Sequence, residues 1–145
     1  MLISSCDQTR VYEKNLDFET RHWHQDTIPA FSFHIENPQE TYNIFANVRN
    51  TLDYPFQNLY LNYQLSDSLG NEVLSELQNI MLFDPKTGKP LNGGIGDIYD
   101  HQVTLLEDYS FPKTGGYILE LQQYMRRDSL PEIVSIGVRV EKAEE

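Results

Sequence analysis

The chain has 145 residues and a mass of 16.9 kDa, the usual size of one domain, and 39% of its residues are hydrophobic, a composition that folds. Its formal net charge of −11 disfavours nucleic acid and adsorption to an anionic bilayer, because both require basic surfaces. The single cysteine excludes an intrachain disulfide, and no apolar run approaches the roughly 20 residues of a membrane-spanning helix.

The only cysteine lies close to the N-terminus, in Ile3-Ser4-Ser5-Cys6. An apolar residue and two small residues before a cysteine resemble a bacterial lipobox, in which a peptidase cleaves before the cysteine and a lipid is attached to it. Several acyl chains on Cys6 would satisfy the need for more than one lipid chain in stable anchoring. We therefore predict a lipobox remnant and a short tether over residues 1–10, and we expect that the N-terminus of this sequence is truncated or misassigned. The alternative is an ordinary thiol in a frayed terminus.

Apolar and polar residues alternate along much of the remaining chain, which is the period of a strand with one buried face. The clearest segments are 30–36, 42–50, 58–65 and 133–141, and the weaker ones are 72–77, 102–107 and 117–124. Glycines and prolines separate them at turns. The pattern predicts an all-β fold over residues 11–142: an antiparallel β-sandwich of jelly-roll or Ig-like type with about eight strands. In the last strand we expect Val134, Ile136, Val138 and Val140 to face inward. Residues 143–145 are predicted to form a solvated acidic tail.

Residues 81–100 form the longest irregular segment and are predicted to be a surface loop. The glycines of Gly93-Gly94-Ile95-Gly96-Asp97-Ile98-Tyr99-Asp100 permit unusual backbone angles, so that Asp97 and Asp100 could converge on one cation or sugar. The alternative is an ordered loop whose aspartates cap backbone N–H groups. No strand-to-helix context supports a nucleotide site. We take Asp97, Tyr99 and Asp100 as a candidate interaction loop.

His22-Trp23-His24 places two histidines on one face of an extended segment, a spacing that some metal sites use. No third ligand can be identified, so we predict a core-packed Trp23 between exposed imidazoles, and neither a metal nor a cofactor. The alternative is a weak metal site or an aromatic patch for sugar stacking. A glycosidase would need two facing carboxylates, for example from Asp97, Asp100 and Glu120, and we predict no catalytic residues and no enzyme.

Segments from Cys6-Asp7 to Leu130-Pro131 together resemble the family of the gliding-motility-associated lipoprotein GldH. The most specific pieces are Arg49-Asn50-Thr51-Leu52-Asp53-Tyr54-Pro55 and the Gly-x-Gly-Asp-Ile-Tyr-Asp run that ends at Asp100. The resemblance covers residues 6–142. It implies a lipid-anchored protein of the bacterial cell envelope, without a known catalytic role, associated with a gliding motor and its secretion system. The expected partners are envelope proteins of that apparatus and the membrane itself, on its periplasmic or outer surface.

The tether from Cys6 to the first predicted strand at Val11 reaches only about 17 Å when fully extended. We therefore expect the domain to lie against its membrane, with a binding surface on loops or a sheet edge that face away from the lipid. A second hypothesis is a lipid-anchored carbohydrate-binding module that stacks sugars on Trp23, Tyr60 or Tyr99. The exposure of those three rings distinguishes the hypotheses, because stacking requires an aromatic face in solvent.

Overall fold

The computed structural model describes residues 9–143, and the regular structure within them consists of β-strands. The strands in chain order are β1 (Arg10–Asp17), β2 (His22–His24), β3 (Ala30–Ile35), β4 (Tyr42–Thr51), β5 (Asn58–Asp67), β6 (Glu72–Met81), β7 (Gly94–Ile95), β8 (Ile98–Tyr109), β9 (Gly115–Gln123), β10 (Ser129–Pro131) and β11 (Ile133–Lys142). All strand pairs are antiparallel. The predicted all-β class is therefore confirmed. Eight strands are long, and β2, β7 and β10 are short additions.

The long strands form two sheets, with the order β1-β11-β4-β8-β7 in one and β3-β9-β5-β6 in the other. If the eight long strands alone are numbered 1 to 8 in chain order, one sheet has the order 1-8-3-6 and the other has the order 2-7-4-5. Two Greek keys wound in this way make a jelly roll. An Ig-like sandwich instead places its first two strands side by side in one sheet. Of the two predicted sandwich types, the topology is the jelly roll.

The core lies between the sheets and is built from alternate residues of the strands, as the period-two pattern predicts. In β4, the residues from Tyr42 to Val48 alternate between buried and half-buried. The expectation for β11 is wrong at its first position. A register shift against β4 between Ile133 and Ser135 buries Ile133 and leaves Val134 only half-buried. Ile136, Val138 and Val140 face inward as predicted.

The sandwich has two ends, and the first strand, β1, begins at one of them, which we call the N-terminal end. At the N-terminal end, Arg10 lies opposite Glu141 and Tyr42 opposite Lys142. At the other end, which we call the distal end, Thr51 lies opposite Ile98. Strand β4 has ten residues, so the two ends are about 30 Å apart at roughly 3.3 Å per residue.

The segment predicted as a long loop is more ordered than expected and lies at the distal end. Strand β6 continues to Met81, Phe83 bridges to Pro90, and β7 folds back onto the first residues of β8. The irregular part of 81–100 is therefore interrupted by strand pairing. Within residues 9–143, no helix is long and apolar enough to span a membrane.

Candidate binding surfaces

The three residues of the candidate interaction loop lie in three different environments. Asp97 occupies the turn between β7 and β8, where its carbonyl accepts a hydrogen bond from the Leu52 N–H at 3.2 Å. Tyr99 is half-buried opposite the buried Asn50. Asp100 lies on the outer face of its sheet, ion-paired with Arg49. The two aspartates therefore lie in separate environments, and the convergence on one ligand that the sequence allowed is not seen.

The distal end carries apolar side chains that the fold leaves in solvent. Ile95 is 88% exposed, and Leu52 and Leu91 are each 49% exposed. Gly94 allows the hairpin of β7 and β8 to form, because a Cβ added at residue 94 would lie 1.9 Å from the Ile98 carbonyl oxygen. Gly96 supplies the positive φ of the turn, +65°. We call the surface formed by Leu52, Leu91, Ile95 and Asp97 the distal tip.

The aromatic residues proposed for sugar stacking differ in exposure. Trp23 is 0% exposed, stacks on Phe18 at 5.8 Å between ring centroids, and donates its indole N–H to the Thr27 carbonyl at 2.8 Å. It cannot present a face to a sugar, so that part of the carbohydrate hypothesis is wrong. Tyr99 is half-buried, and only Tyr60, at 41%, is exposed.

The core-packed interpretation of Trp23 is confirmed, and His22 and His24 on either side of it are exposed. Within residues 9–143, no group of three or more potential ligands is placed to hold a metal ion. Glu120 lies on β9, in the opposite sheet from Asp100. The carboxylates considered for glycoside hydrolysis are therefore not assembled at one cleft.

A polar groove that sequence reasoning missed lies on the outer face of the five-stranded sheet. Its volume is about 420 Å³. Cross-strand pairing brings three of its lining amides into one row, because Asn15, Asn47 and Gln102 lie in register across β1, β4 and β8, with Gly137 of β11 between the first two. We call this surface the outer groove. The other residues that line it are Glu13, Val48, Arg49, Asn92, Gly93, Asp100, His101 and Ser135.

Hydrogen bonds hold one wall of the outer groove in place. The Asn47 amide donates through Nδ2 to Glu13 Oε2 at 3.0 Å and to Asn15 Oδ1 at 3.1 Å. Glu13 in turn accepts a hydrogen bond from Arg139 Nη1 at 2.9 Å. Burial acts to lower the pKa of Arg139, but its hydrogen bonds to Glu141 and Glu13 raise it overall, so the guanidinium stays charged. This network fixes the orientation of two amide side chains at the groove.

Gly137 makes this arrangement possible. It is buried in the middle of β11, and an added Cβ would lie 1.8 Å from Asn15 Oδ1. The absence of a side chain at residue 137 therefore gives the Asn15 amide room to approach β11 and reach Asn47. Periodicity alone indicates no such role, because a glycine inside a strand usually signals only a bulge or a close approach.

The opposite wall of the outer groove contains an ion pair and a buried histidine. Arg49 donates through Nε to Asp100. Burial lowers the pKa of His101, against an opposing effect of Asp100, so the imidazole is neutral at pH 7. Its Nδ1 lies 2.8 Å from Asn92 Nδ2, whereas its buried Nε2 has no hydrogen-bond partner within residues 9–143. An unpaired buried polar atom costs about 1–3 kcal/mol.

Comparison with known proteins identifies the family. The profile of the GldH lipoprotein family matches residues 10–140. The chain belongs to this family. The gliding motility lipoprotein GldH homolog of Christiangramia forsetii is 31% identical over 152 residues, covering 99% of this chain and 91% of the relative. The gliding motility lipoprotein GldH of Flavobacterium johnsoniae is 28% identical over 149 residues, covering 98% and 91%.

One solved structure illustrates how distant the structural similarity is. The infectious bursal disease virus VP2 subviral particle gives a TM-score of 0.42 at 16% identity, covering 93% of this chain and 34% of the viral chain. A similarity this low supports no conclusion about function. The predicted lipid-attachment residue, Cys6, lies outside the described residues.

Proposed function

We propose that this GldH family member is a lipid-anchored protein of the bacterial cell envelope that acts as a non-catalytic assembly component of a gliding-motility apparatus and its associated secretion system. Two relatives that match nearly the full chain are named gliding motility lipoproteins. The lipobox-like Ile3-Ser4-Ser5-Cys6 supports lipid attachment at Cys6. The membrane-bound and partner-bound parts of the molecule would then lie at opposite ends.

The observation that carries this proposal is the position of the distal tip relative to β1. From Cys6 to Arg10 the chain reaches about 14 Å when fully extended, so a lipid on Cys6 would hold the N-terminal end of the sandwich close to the bilayer. Ile95 lies at the other end, about 30 Å farther along the strands. The distal tip would therefore project away from the lipid, where it is accessible to another envelope protein.

The chemistry of the distal tip favours a protein partner. Isolated exposed apolar side chains are common, but Ile95 lies at a hairpin turn close to the exposed Leu52. Exposed carboxylates of Asp53 and Asp97 lie beside them. We infer a partner that offers an apolar pocket with basic residues at its rim, because the charged rim of an interface governs encounter and specificity.

Crosslinking in native envelopes tests the proposal. Full-length protein carrying Ile95→Asp would be compared with wild type, after crosslinking and affinity capture, by quantitative mass spectrometry of the captured proteins. We expect wild type to capture components of the motility or secretion apparatus and Ile95→Asp to lose most of them. Leu77→Asp makes the same change at an exposed leucine of the four-stranded sheet and should retain them.

Two results would contradict the proposal. One is the same set of captured proteins from wild type and Ile95→Asp, which would exclude the distal tip as the contact surface. The other is an unmodified Cys6 thiol in the protein isolated from native membranes, read by mass spectrometry of the N-terminal peptide. The second result would remove the anchor and with it the orientation of the sandwich.

A further inference from the structure

The outer groove has the dimensions and polarity of a small-molecule site, and it adjoins the distal tip, because Asn92 lines the groove and Leu91 belongs to the tip. A volume of about 420 Å³ falls within the range of about 300–1,000 Å³ that is typical of ligand pockets. Its lining combines amides, a hydroxyl, two carboxylates, one guanidinium and the imidazole of His101. Most polar side chains on the outer face of a sheet make a flat solvated surface, whereas these line a concave one.

Several polar atoms in the outer groove are not used by the protein itself. Asn47 Nδ2 donates to Asn15 Oδ1. The other two amide atoms of this pair, Asn47 Oδ1 and Asn15 Nδ2, make no hydrogen bond among residues 9–143. The side-chain amide of Gln102 also makes no hydrogen bond to any of residues 9–143. Among residues 9–143, Arg49 uses only Nε, for Asp100, which leaves its two terminal nitrogens available. The free groups thus include both donors and acceptors.

The composition of the lining disfavours several ligand classes. Glu13 and Asp100 would repel a phosphate or another anion, as would the net charge of −11. A metal ion has too few ligands, because no suitable group of three is found in residues 9–143. An extended peptide would normally pair with a sheet edge, and the backbone of β4 and β11 is already paired on both sides. A neutral ligand rich in hydroxyl groups remains compatible with every group in the groove.

We propose that the outer groove binds a neutral saccharide. A pair of neighbouring sugar hydroxyls can donate to one atom of a planar amide and accept from the other, which is the chemistry that Asn47, Asn15 and Gln102 offer. The terminal nitrogens of Arg49 supply further donors. Phe45 is half-buried on the same outer face, two residues from Asn47, and provides an aromatic surface beside the groove.

The network around Asn47 prepares the groove for its ligand. Because Glu13 and Asn15 already hold the Asn47 amide, little side-chain entropy is lost when a sugar binds. This position for a saccharide differs from the aromatic surface expected from the sequence, since Trp23 is buried and Tyr60 lies on the four-stranded sheet. The inference does not depend on the proposed assembly function.

The test uses the full chain in unlipidated form and four neutral disaccharides: cellobiose, lactose, maltose and N,N′-diacetylchitobiose. Two-dimensional NMR of the side-chain amides would be followed during titration to about 20 mM, which detects millimolar dissociation constants. We expect saturable shifts of the Asn15, Asn47 and Gln102 amides with at least one sugar. Loss of a hydrogen-bonding amide in Asn47→Ala should weaken that binding about tenfold.

Asn62→Ala is the matched control, since Asn62 is a half-buried amide on β5, in the four-stranded sheet. It should leave the dissociation constant within about twofold of wild type. Three results would overturn the proposal: no saturable shift with any of the four sugars, equal weakening by Asn62→Ala and Asn47→Ala, or saturable binding of glucose 6-phosphate without binding of the neutral sugars. Loss of partner capture by Ile95→Asp would have no bearing on these outcomes.

Discussion

Replacement of Gly137 by alanine tests whether the packing of β1 against β11 depends on the missing side chain. In an ordinary strand this substitution stabilises a protein by about 0.5–1 kcal/mol, because glycine loses more backbone entropy on folding. At residue 137 an added Cβ would lie 2.5 Å from the Lys14 carbonyl oxygen and 1.8 Å from Asn15 Oδ1. Since ordinary contacts begin near 3.4 Å, the backbone of β1 would have to move by roughly 0.9 Å.

The expected cost follows from these contacts. Overpacking of a buried site typically costs about 1–3 kcal/mol, and displacement of Asn15 would also weaken its hydrogen bond with Asn47, which contributes about 0.5–1.5 kcal/mol. After subtraction of the entropic gain, we expect Gly137→Ala to lower the free energy of unfolding by about 1–3 kcal/mol. For a domain of this size, each 1 kcal/mol corresponds to a decrease in Tm of about 4 °C.

Urea denaturation followed by circular dichroism measures this change, with Gly116→Ala as the control. Gly116 also lies inside a strand and lacks a positive φ, but the nearest atom to its added Cβ would be Ser68 Cβ, at the ordinary contact distance of 3.4 Å. Gly116→Ala should therefore be neutral or slightly stabilising. If Gly137→Ala unfolds at the same urea concentration as Gly116→Ala, the close approach of β1 to β11 does not constrain residue 137 and the argument is refuted.

Three further predictions concern buried residues. Leu61→Ala should cost about 2–5 kcal/mol in urea denaturation because Leu61 is fully buried, whereas Leu77→Ala, 54% exposed, should stay within about 0.5 kcal/mol of wild type. Burial lowers the folded-state pKa of His101 below 6.5, so the unfolded chain binds more protons than the folded chain as the pH falls. Wild type should therefore lose stability relative to His101→Phe below about pH 6.5. A difference in unfolding free energy between the two proteins that stays constant from pH 8 to pH 5 would contradict this. The only tryptophan, Trp23, should show short-wavelength emission and resist quenching by acrylamide, and ready quenching would mean that it is exposed.

Local patterns were sufficient to predict the fold class and most inward-facing residues. The alternation in 42–50 marks the buried face of β4, because successive side chains of a strand point to opposite sides whatever its neighbours are. A local pattern fails where pairing is irregular, as at Val134, since a register shift depends on the partner strand. The same limit applies to 81–100, where β7 is too short to leave a periodic signal.

The types of residue and their spacing were enough to predict an acidic all-β protein. They also revealed the lipobox-like segment before the single cysteine and a tryptophan suited to a core. Only the tertiary structure decided which polar residues lie together. Asn15, Asn47, Gln102 and Gly137 are far apart in the sequence, and each resembles an ordinary outward-facing residue of its own strand. They form one surface because the jelly-roll topology places β1, β11, β4 and β8 side by side in a particular register, and register is a property of paired strands rather than of any one segment.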